Sequence, residues 1–434
     1  MKNYKFIFLT VISLIIMITL TLSYYITSSK PKTTFTKNED ITIKVKNKIL
    51  DEAISEDFLN WISKTYGTNA LIKLDKYLET EEYQSSIWHD LTGFSYYALL
   101  DLYENNNDNF KIIDNDKNEA TLSFVGDVSL ADNWYIVPKY DERGKGITGI
   151  LSQEIVDIMT NSTIMVANNE FTISDRGEPL PGKLYTFRAS PNRIPIYDEM
   201  GVDLVTLANN HVYDYGELAF NDMIDSLNNY HIPYIGAGKN IEEAKRPYYF
   251  IVNGYKIAFV NATRAEKNIM TPSATENRGG VFRCYDPTDM INLITKTKTN
   301  SDYVIALIHF GKEDSHELEK EQIDSSKKYI DAGADTVIGS HAHVLQGIEF
   351  YKDKPIIYNL GDFIFNNEIK DTGIFQIKLS KNGFIEYYFI PAEQKDEFTK
   401  LPSESDKIRI INNMNNWSIN ATIDKDGKIT KKAN

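Results

Sequence analysis

The feature that most constrains this chain is a regular alternation, between residues 121 and 365, of short apolar runs with stretches of helical periodicity. TLSFVGD, IMVANNE, VDLVTLANNH, YKIAFVNAT, YVIALIHFG, TVIGSHAH and PIIYNLGDFIF read as strands. LSQEIVDIMTNS, ELAFNDMIDSLNNY and a long segment near residues 315–332 read as helices between them. Such alternation predicts an α/β architecture, with ligand sites beyond the C-terminal ends of the strands.

Polar residues suited to chemistry stand where these strands stop. Asp127 ends the first run, Glu170 the second, Asn210 and His211 the third, His309 a later one, and His341 and His343 the run TVIGSHAH. An Asp or His after a strand is ordinarily a cap or a satisfied hydrogen-bonding group. Here, however, four of the chain's seven histidines fall at such ends. Two carboxylates, an Asn carbonyl and three imidazoles form a mixed oxygen and nitrogen set suited to Mn, Fe, Zn or Mg. Thiolate chemistry is excluded, because the single cysteine, Cys284, can make neither an internal disulfide nor a Cys-rich zinc site.

The ordered segments GD, NNE, ANNHVYDYG, HFGKE, GSHAHVLQG and NLGDFIF resemble the CapA family of poly-γ-glutamate capsule biosynthesis proteins, whose domain is similar to calcineurin-like metallophosphatases. The resemblance covers about 118–392. It implies a metallophosphatase-like sandwich of two β-sheets flanked by helices, with one or two divalent ions at the sheet edge. It further implies that Asp127 and His343 hold one ion, that Asn210, His309 and His341 hold the second, and that Glu170 bridges them. His211 would protonate a leaving group. Two positions depart from the general metallophosphatase pattern: Ser129 stands where a D-x-H motif has its histidine, and Glu170 stands where a bridging aspartate is usual.

Around this set, Glu313 is expected either to orient an imidazole or to cap the helix near residue 315, and Asp362 to accept from a ligand histidine. Arg188, Arg264 and Arg283 are candidate substrate-binding residues, forming an anion-binding rim. Such a rim is needed because the formal charge is −14, which disfavours any nucleic-acid partner and leaves an anionic substrate dependent on local cations.

Residues 6–26 carry no charged side chain and are long enough to cross a bilayer as a helix. No small-residue cleavage site follows, so the expectation is an uncleaved anchor at 1–27, a tether at 28–40 and a body outside the cytoplasm. Residues 41–117 are expected to form a small helical module whose Trp61, Trp88 and His89 serve as ordinary core or surface groups, 118–392 the main domain, and 393–434 a C-terminal tail. The resulting functional expectation is a membrane-anchored, metal-dependent, hydrolase-like protein in the synthesis, release or export of an anionic capsule polymer. Its partners would be that polymer or its precursor and membrane subunits of a polyglutamate synthesis or export complex. The alternatives are a non-catalytic accessory subunit and a phosphoesterase unrelated to capsule.

Overall fold

A computed structural model of the chain describes residues 35–432, apart from 50, 52–53, 105–109, 114, 116, 267–269 and 384. The expected anchor at 6–26 lies outside the described residues, among which no helix is long and apolar enough to cross a membrane. The chain divides into two compact units, Met1–Thr92 and Gly93–Asn434.

The described part of the first unit is helical: Phe35–Lys46, Glu56–Tyr66, Thr68–Tyr77 and Ile87–Thr92. Ser55 starts the second of these helices by accepting from the Phe58 amide at 3.0 Å, and Phe58, Leu59 and Ile62 recur at the spacing of one buried helical face. Trp88 is fully buried, packs edge-on to Phe58 at 5.6 Å and donates its indole N–H to the Tyr83 hydroxyl at 2.9 Å. It is a core residue.

The second unit consists of mixed α/β sheets with helices. One sheet runs, in spatial order, Phe110–Ile113, Tyr248–Val252, Tyr255–Thr263, Tyr303–His309, Thr336–Ser340, Lys354–Leu360 and Leu345–Tyr351. The other runs Ala421–Ile423, Lys428–Lys431, Ile385–Gln394, Lys370–Ser380, Glu119–Val128, Ile164–Asn169, Leu204–Thr206 and Tyr234–Ile235, with Asp362–Ile364 beside Glu119–Val128 and Thr399–Lys400 beside Ile385–Gln394. Side-chain alternation along the strands explains how they stack. Ile257 and Phe259 share a core with Phe124 and Val166 of the other sheet, whereas Ala258 and Val260 pack outward against Met290 and Ile294 of the Thr288–Lys298 helix. On the far face of the second sheet, Met165 and Val205 pack against Ile155, Met159, Phe220 and Met223 from helices Gln153–Thr160 and Gly216–Asn229. The result is two facing sheets with helices on both outer sides.

Three boundaries differ from the sequence expectation. Residues 93–117 belong with the second unit, where the Tyr96–Glu104 helix is tied to the sheet by a buried ion pair, Asp101 to Lys256 at 2.5 Å, and Phe110–Ile113 adds an edge strand. Residues 393–434 are no tail: Ile410, Ile411 and Met414 of the Glu404–Trp417 helix enter the core between the sheets, and Lys428–Lys431 pairs with Ile385–Gln394. The helix expected near 315 spans Lys320–Asp331, because the Glu319 amide donates to Gln322 Oε1 at 2.9 Å as half of a capping box.

The parallel strands bring their C-terminal ends to one edge. Thr263, His309 and Ser340 stand level in one sheet, as do Asp127, Asn168 and Thr206 in the other.

Candidate metal site

At that shared edge two G–D dipeptides lie back to back. A side chain on Gly126 would place its Cβ 1.8 Å from the Gly361 carbonyl, so only glycine permits the approach. The Asp127 amide donates to that same carbonyl at 2.9 Å, and Asp362 pairs in register with Asp127. Both aspartates are fully buried.

The histidines of GSHAH come from a backbone that few side chains tolerate. His341 and His343 have φ values of 98° and 56°, in the left-handed region, which costs a non-glycine residue on the order of 1–3 kcal/mol. With Ala342 between them, this geometry brings both imidazoles to one cluster, where their ring centroids are 6.1 Å apart. His343 Nδ1 lies 2.7 Å from Asp362 Oδ1 and 3.4 Å from Asp127 Oδ2, and its Nε2 lies 3.8 Å from Glu170 Oε1. The His341 amide donates to Asp127 Oδ2 at 3.1 Å.

His309 is fully buried at the end of its strand. Its Nδ1 meets Ser340 Oγ at 2.8 Å, while its Nε2 stands 2.8 Å from Asn210 Oδ1 and 3.6 Å from Glu170 Oε1. Adjacent ligands around one ion at bond lengths of about 2.1 Å are themselves about 3 Å apart, so this spacing suits a shared ion. Within the carboxylate and imidazole groups, three sets have ligand atoms within 4.8 Å of one another: Glu170 with His341 and His343, Asp127 with His343 and Asp362, and Asp127 with Glu170 and His309.

The electrostatics follow from burial. Burial raises the Asp127 carboxyl above the usual range, and burial together with the Asp127 charge raises Glu170 well above it. Burial and the neighbouring histidines hold His309 and His341 well below the ordinary imidazole value. Burial opposes a charged His343, but the carboxylates of Asp362, Glu170 and Asp127 outweigh it and raise that ring well above the ordinary value. The neutral form favoured at His309 and His341 is the one in which an imidazole ligates a metal. Two atoms show the lack most directly: Glu170 Oε1 and His341 Nδ1 are buried with no hydrogen-bond partner among the described residues. Orphaned polar atoms in a buried O/N donor set fit a divalent ion.

His211 sits beside the cluster with a support of its own. Its Nδ1 is 2.7 Å from Asp214 Oδ2, and its ring packs on Phe187 at 4.5 Å. Asp214 also ion-pairs with Lys183 at 2.7 Å, and the Lys183 ammonium donates to the Asn210 carbonyl and pairs with Glu266 at 3.1 Å. An open cleft of about 260 Å³ lies over the cluster, with His211 and His343 in its wall.

The remaining sequence candidates are placed as follows. Asp362 is the carboxylate against His343 described above. Glu313 is mostly exposed in the cleft wall, with Oε1 3.9 Å from His341 Nε2, and does not cap the following helix. None of the three arginines lines the cleft. Arg283 is turned inward, bonded to the Ala265 and Thr271 carbonyls and to Glu266. The Arg188 guanidinium covers Tyr215 at 4.2 Å and donates to the Gly177 carbonyl, and that of Arg264 lies over Tyr285 at 5.4 Å. Backbone carbonyls, Glu266 and aromatic faces engage these guanidinium groups away from the cleft, although the Arg283 Nε is buried with no hydrogen-bond partner among the described residues. Ser129 is buried with its hydroxyl unpartnered among the described residues.

Sequence reasoning missed three residues. Asn168 donates to both Asp127 Oδ1 at 2.8 Å and Glu170 Oε2 at 3.0 Å, holding the two acids together; its place in IMVANNE, two residues before Glu170, was a legible signal. Asp214 follows His211 by three residues in ANNHVYDYG, a spacing that brings a side chain back to its neighbour. Lys183, in a loop distant in sequence, carried no signal.

Residues 121–367 match the family model described as "Bacterial capsule synthesis protein PGA_cap". The chain is 29% identical over 318 residues to the PGA biosynthesis protein CapA of Bacillus subtilis, covering 71% of this chain and 81% of that one. It is 28% identical over 304 residues to the capsule biosynthesis protein CapA of Bacillus anthracis, covering 67% and 72%. Among solved structures, the NAD nucleotidase of Haemophilus influenzae overlaps at a TM-score of 0.39 with 12% identity, over 73% of this chain and 60% of that one.

Proposed function

This chain belongs to the bacterial capsule synthesis protein PGA_cap family, and from that premise we propose that its buried cluster is a divalent-metal centre of a hydrolase-like enzyme acting in production of poly-γ-glutamate. The observation that carries the metal reading is the pair of orphaned ligand atoms, Glu170 Oε1 and His341 Nδ1, inside a converging donor set. In this reading Asp127 and His343 would hold one ion, Asn210, His309 and His341 a second, and Glu170 would serve with both sets. Bound divalent ions supply a water of lowered pKa and charge to offset a developing oxyanion.

The chain's own residues do the rest. Asp362 holds His343 through Nδ1 and so directs its Nε2 toward Glu170. Asn168 keeps two mutually repelling acids in place by donating to both. Asp214 holds His211 Nδ1, which leaves Nε2 to carry a proton for a leaving group at the cleft wall. The proposal extends to location: an anchor at 6–26 with the body outside the cytoplasm, where polymer emerges and membrane subunits of its export machinery would meet it.

Deletion of the gene, followed by complementation, tests this reading. The wild-type gene should restore extracellular polymer and a Glu170→Ala, His309→Ala variant should not. Full restoration by the variant would make the protein a non-catalytic accessory subunit, and unchanged polymer after deletion would remove it from capsule production. Protease added to intact protoplasts should digest the C-terminal unit; its protection would reverse the topology.

A further inference from the structure

Lysine is almost never buried unless it is paired, and the loop between Gly177 and Phe187 reverses the usual order of burial. Leu184 is 84% exposed and Tyr185 55% exposed, whereas the side chain of Lys183 beside them is 7% exposed. Attachment of the loop does not require this. The Leu180 amide donates to the Asp214 carbonyl at 2.8 Å and the Phe187 amide to Asp214 Oδ2 at 2.8 Å, so the backbone fastens the loop on both sides of the lysine.

What the buried ammonium adds is a link between two side chains with different tasks. It donates to the backbone carbonyl of Asn210, ion-pairs with Asp214 Oδ1 at 2.7 Å and donates to Glu266 Oε1 at 3.1 Å. Asn210 turns its Oδ1 to His309, and Asp214 holds the ring of His211, the next residue along the chain. Asp214 Oδ1 makes no hydrogen bond among the described residues, so the ion pair is what offsets its charge. Glu266 is fixed in turn by the Met270 and Thr271 amides at 3.2 and 3.0 Å and by Arg283 at 3.2 Å. The Thr271 hydroxyl is a second donor to the Asn210 carbonyl, at 2.7 Å, and has no bond to Asp214 among the described residues. A buried cation with a carboxylate on either flank has little freedom to move, so the groups it grips are held at a fixed separation.

We propose that Lys183 is a positioning residue: through Asn210 and Asp214 it holds the amide oxygen that faces the ion and the imidazole that carries the proton in one register. The proposal rests on reading the cluster as a metal centre with His211 as its proton donor, and adds the residue that couples the two.

The test uses the full chain in detergent and compares Lys183→Met, which keeps the apolar stem without the ammonium, with Thr271→Val, which removes only the second donor to Asn210. Circular dichroism checks folding. The first readout is the proton on His211 Nδ1, which resonates far downfield when held against a carboxylate and is identified by its loss in His211→Ala. Lys183→Met should abolish or shift this resonance, and Thr271→Val should leave it in place. Competition with a metal-sensing dye should show affinity lowered about 10–100-fold by Lys183→Met, and by less with Thr271→Val. At saturating metal, hydrolysis of an activated phosphate ester should be no slower in the double variant Lys183→Met, His211→Ala than in His211→Ala alone, because a residue that acts through His211 then has nothing left to position. No such resonance in the wild-type chain, an unchanged one in Lys183→Met, losses that simply multiply in the double variant, or the same effects from Thr271→Val would each overturn the proposal. Lys183→Gln replaces Lys183→Met if that variant does not fold, and failure of both to fold would make the lysine part of the folding core only, which overturns it too. A wild-type chain that neither holds metal nor hydrolyses the ester would sink the metal reading; the His211 resonance needs neither and would still decide the role of Lys183.

Discussion

The two sides of the cluster are built from different materials. On one side Asp127, Asp362 and His343 form a carboxylate-rich group in which the imidazole is braced by an acid. On the other, Asn210, His309 and His341 offer an amide oxygen and two imidazoles, and the brace on His309 is the Ser340 hydroxyl. Burial keeps His309 and His341 well below the ordinary imidazole value, whereas carboxylates raise His343 well above it. In the proposed assignment the first side would bring its own carboxylates to an ion, whereas the second would bring dipoles and borrow the carboxylates of Asp127 and Glu170 that lie beside His309. Hard ions such as Mn or Mg suit the first, and ions that favour nitrogen suit the second. Glu170 has an oxygen near imidazoles of both sides, and Asp127 joins it beside His309.

Substitutions can break this contrast or sharpen it. The largest effect is expected from Glu170→Ala, which should strip both ions and, with them, any metal-dependent activity; metal analysis after dialysis checks it, and a full complement of metal would remove Glu170 from the centre. His309→Ala combined with His341→Ala should lose one ion and keep the other, and loss of both would mean that the two sides are one site. His211→Ala should keep all metal while hydrolysis of an activated phosphate ester, used as a probe, falls by about 10²–10⁴-fold, as for loss of one general acid; loss of metal would make His211 a ligand.

The smaller predictions compare the two braces directly. Asp362→Asn should lower affinity on the carboxylate side by about 10–100-fold. Ser340→Ala removes one neutral hydrogen bond worth about 1 kcal/mol and should cost the other side only about fivefold. Competition with a metal-sensing dye measures both, and equal losses would erase the asymmetry.

The strands and their chemical ends were legible because a short, nearly continuous apolar run stops abruptly at a polar residue, as at Asp127, Glu170 and His309. The resemblance then sorted those ends into roles. The arginines' absence from the cleft wall was not legible, because charge in a sequence does not say what already engages it, and Arg283 bonds two carbonyls and Glu266. Lys183 was invisible for the converse reason, since its partners Asn210, Asp214 and Glu266 lie far from it along the chain. The C-terminal helix carried its signal in Ile410, Ile411 and Met414, a helical face that needs a core to bury it.

The hydrogen bond from the His341 amide to Asp127 joins residues 214 positions apart, and the strand bearing Asp127 is completed on its other flank only by Lys370–Ser380. Synthesis releases Asp127, Glu170 and Asn210 long before the residues that close the cluster exist outside the ribosome. Early ligands must wait without their partners, and an ion taken up then would meet an open and incomplete set. Contacts of such long range make for slow folding. An ion held as proposed would therefore come late to a nearly finished sheet and would not be the template around which the first strands gather.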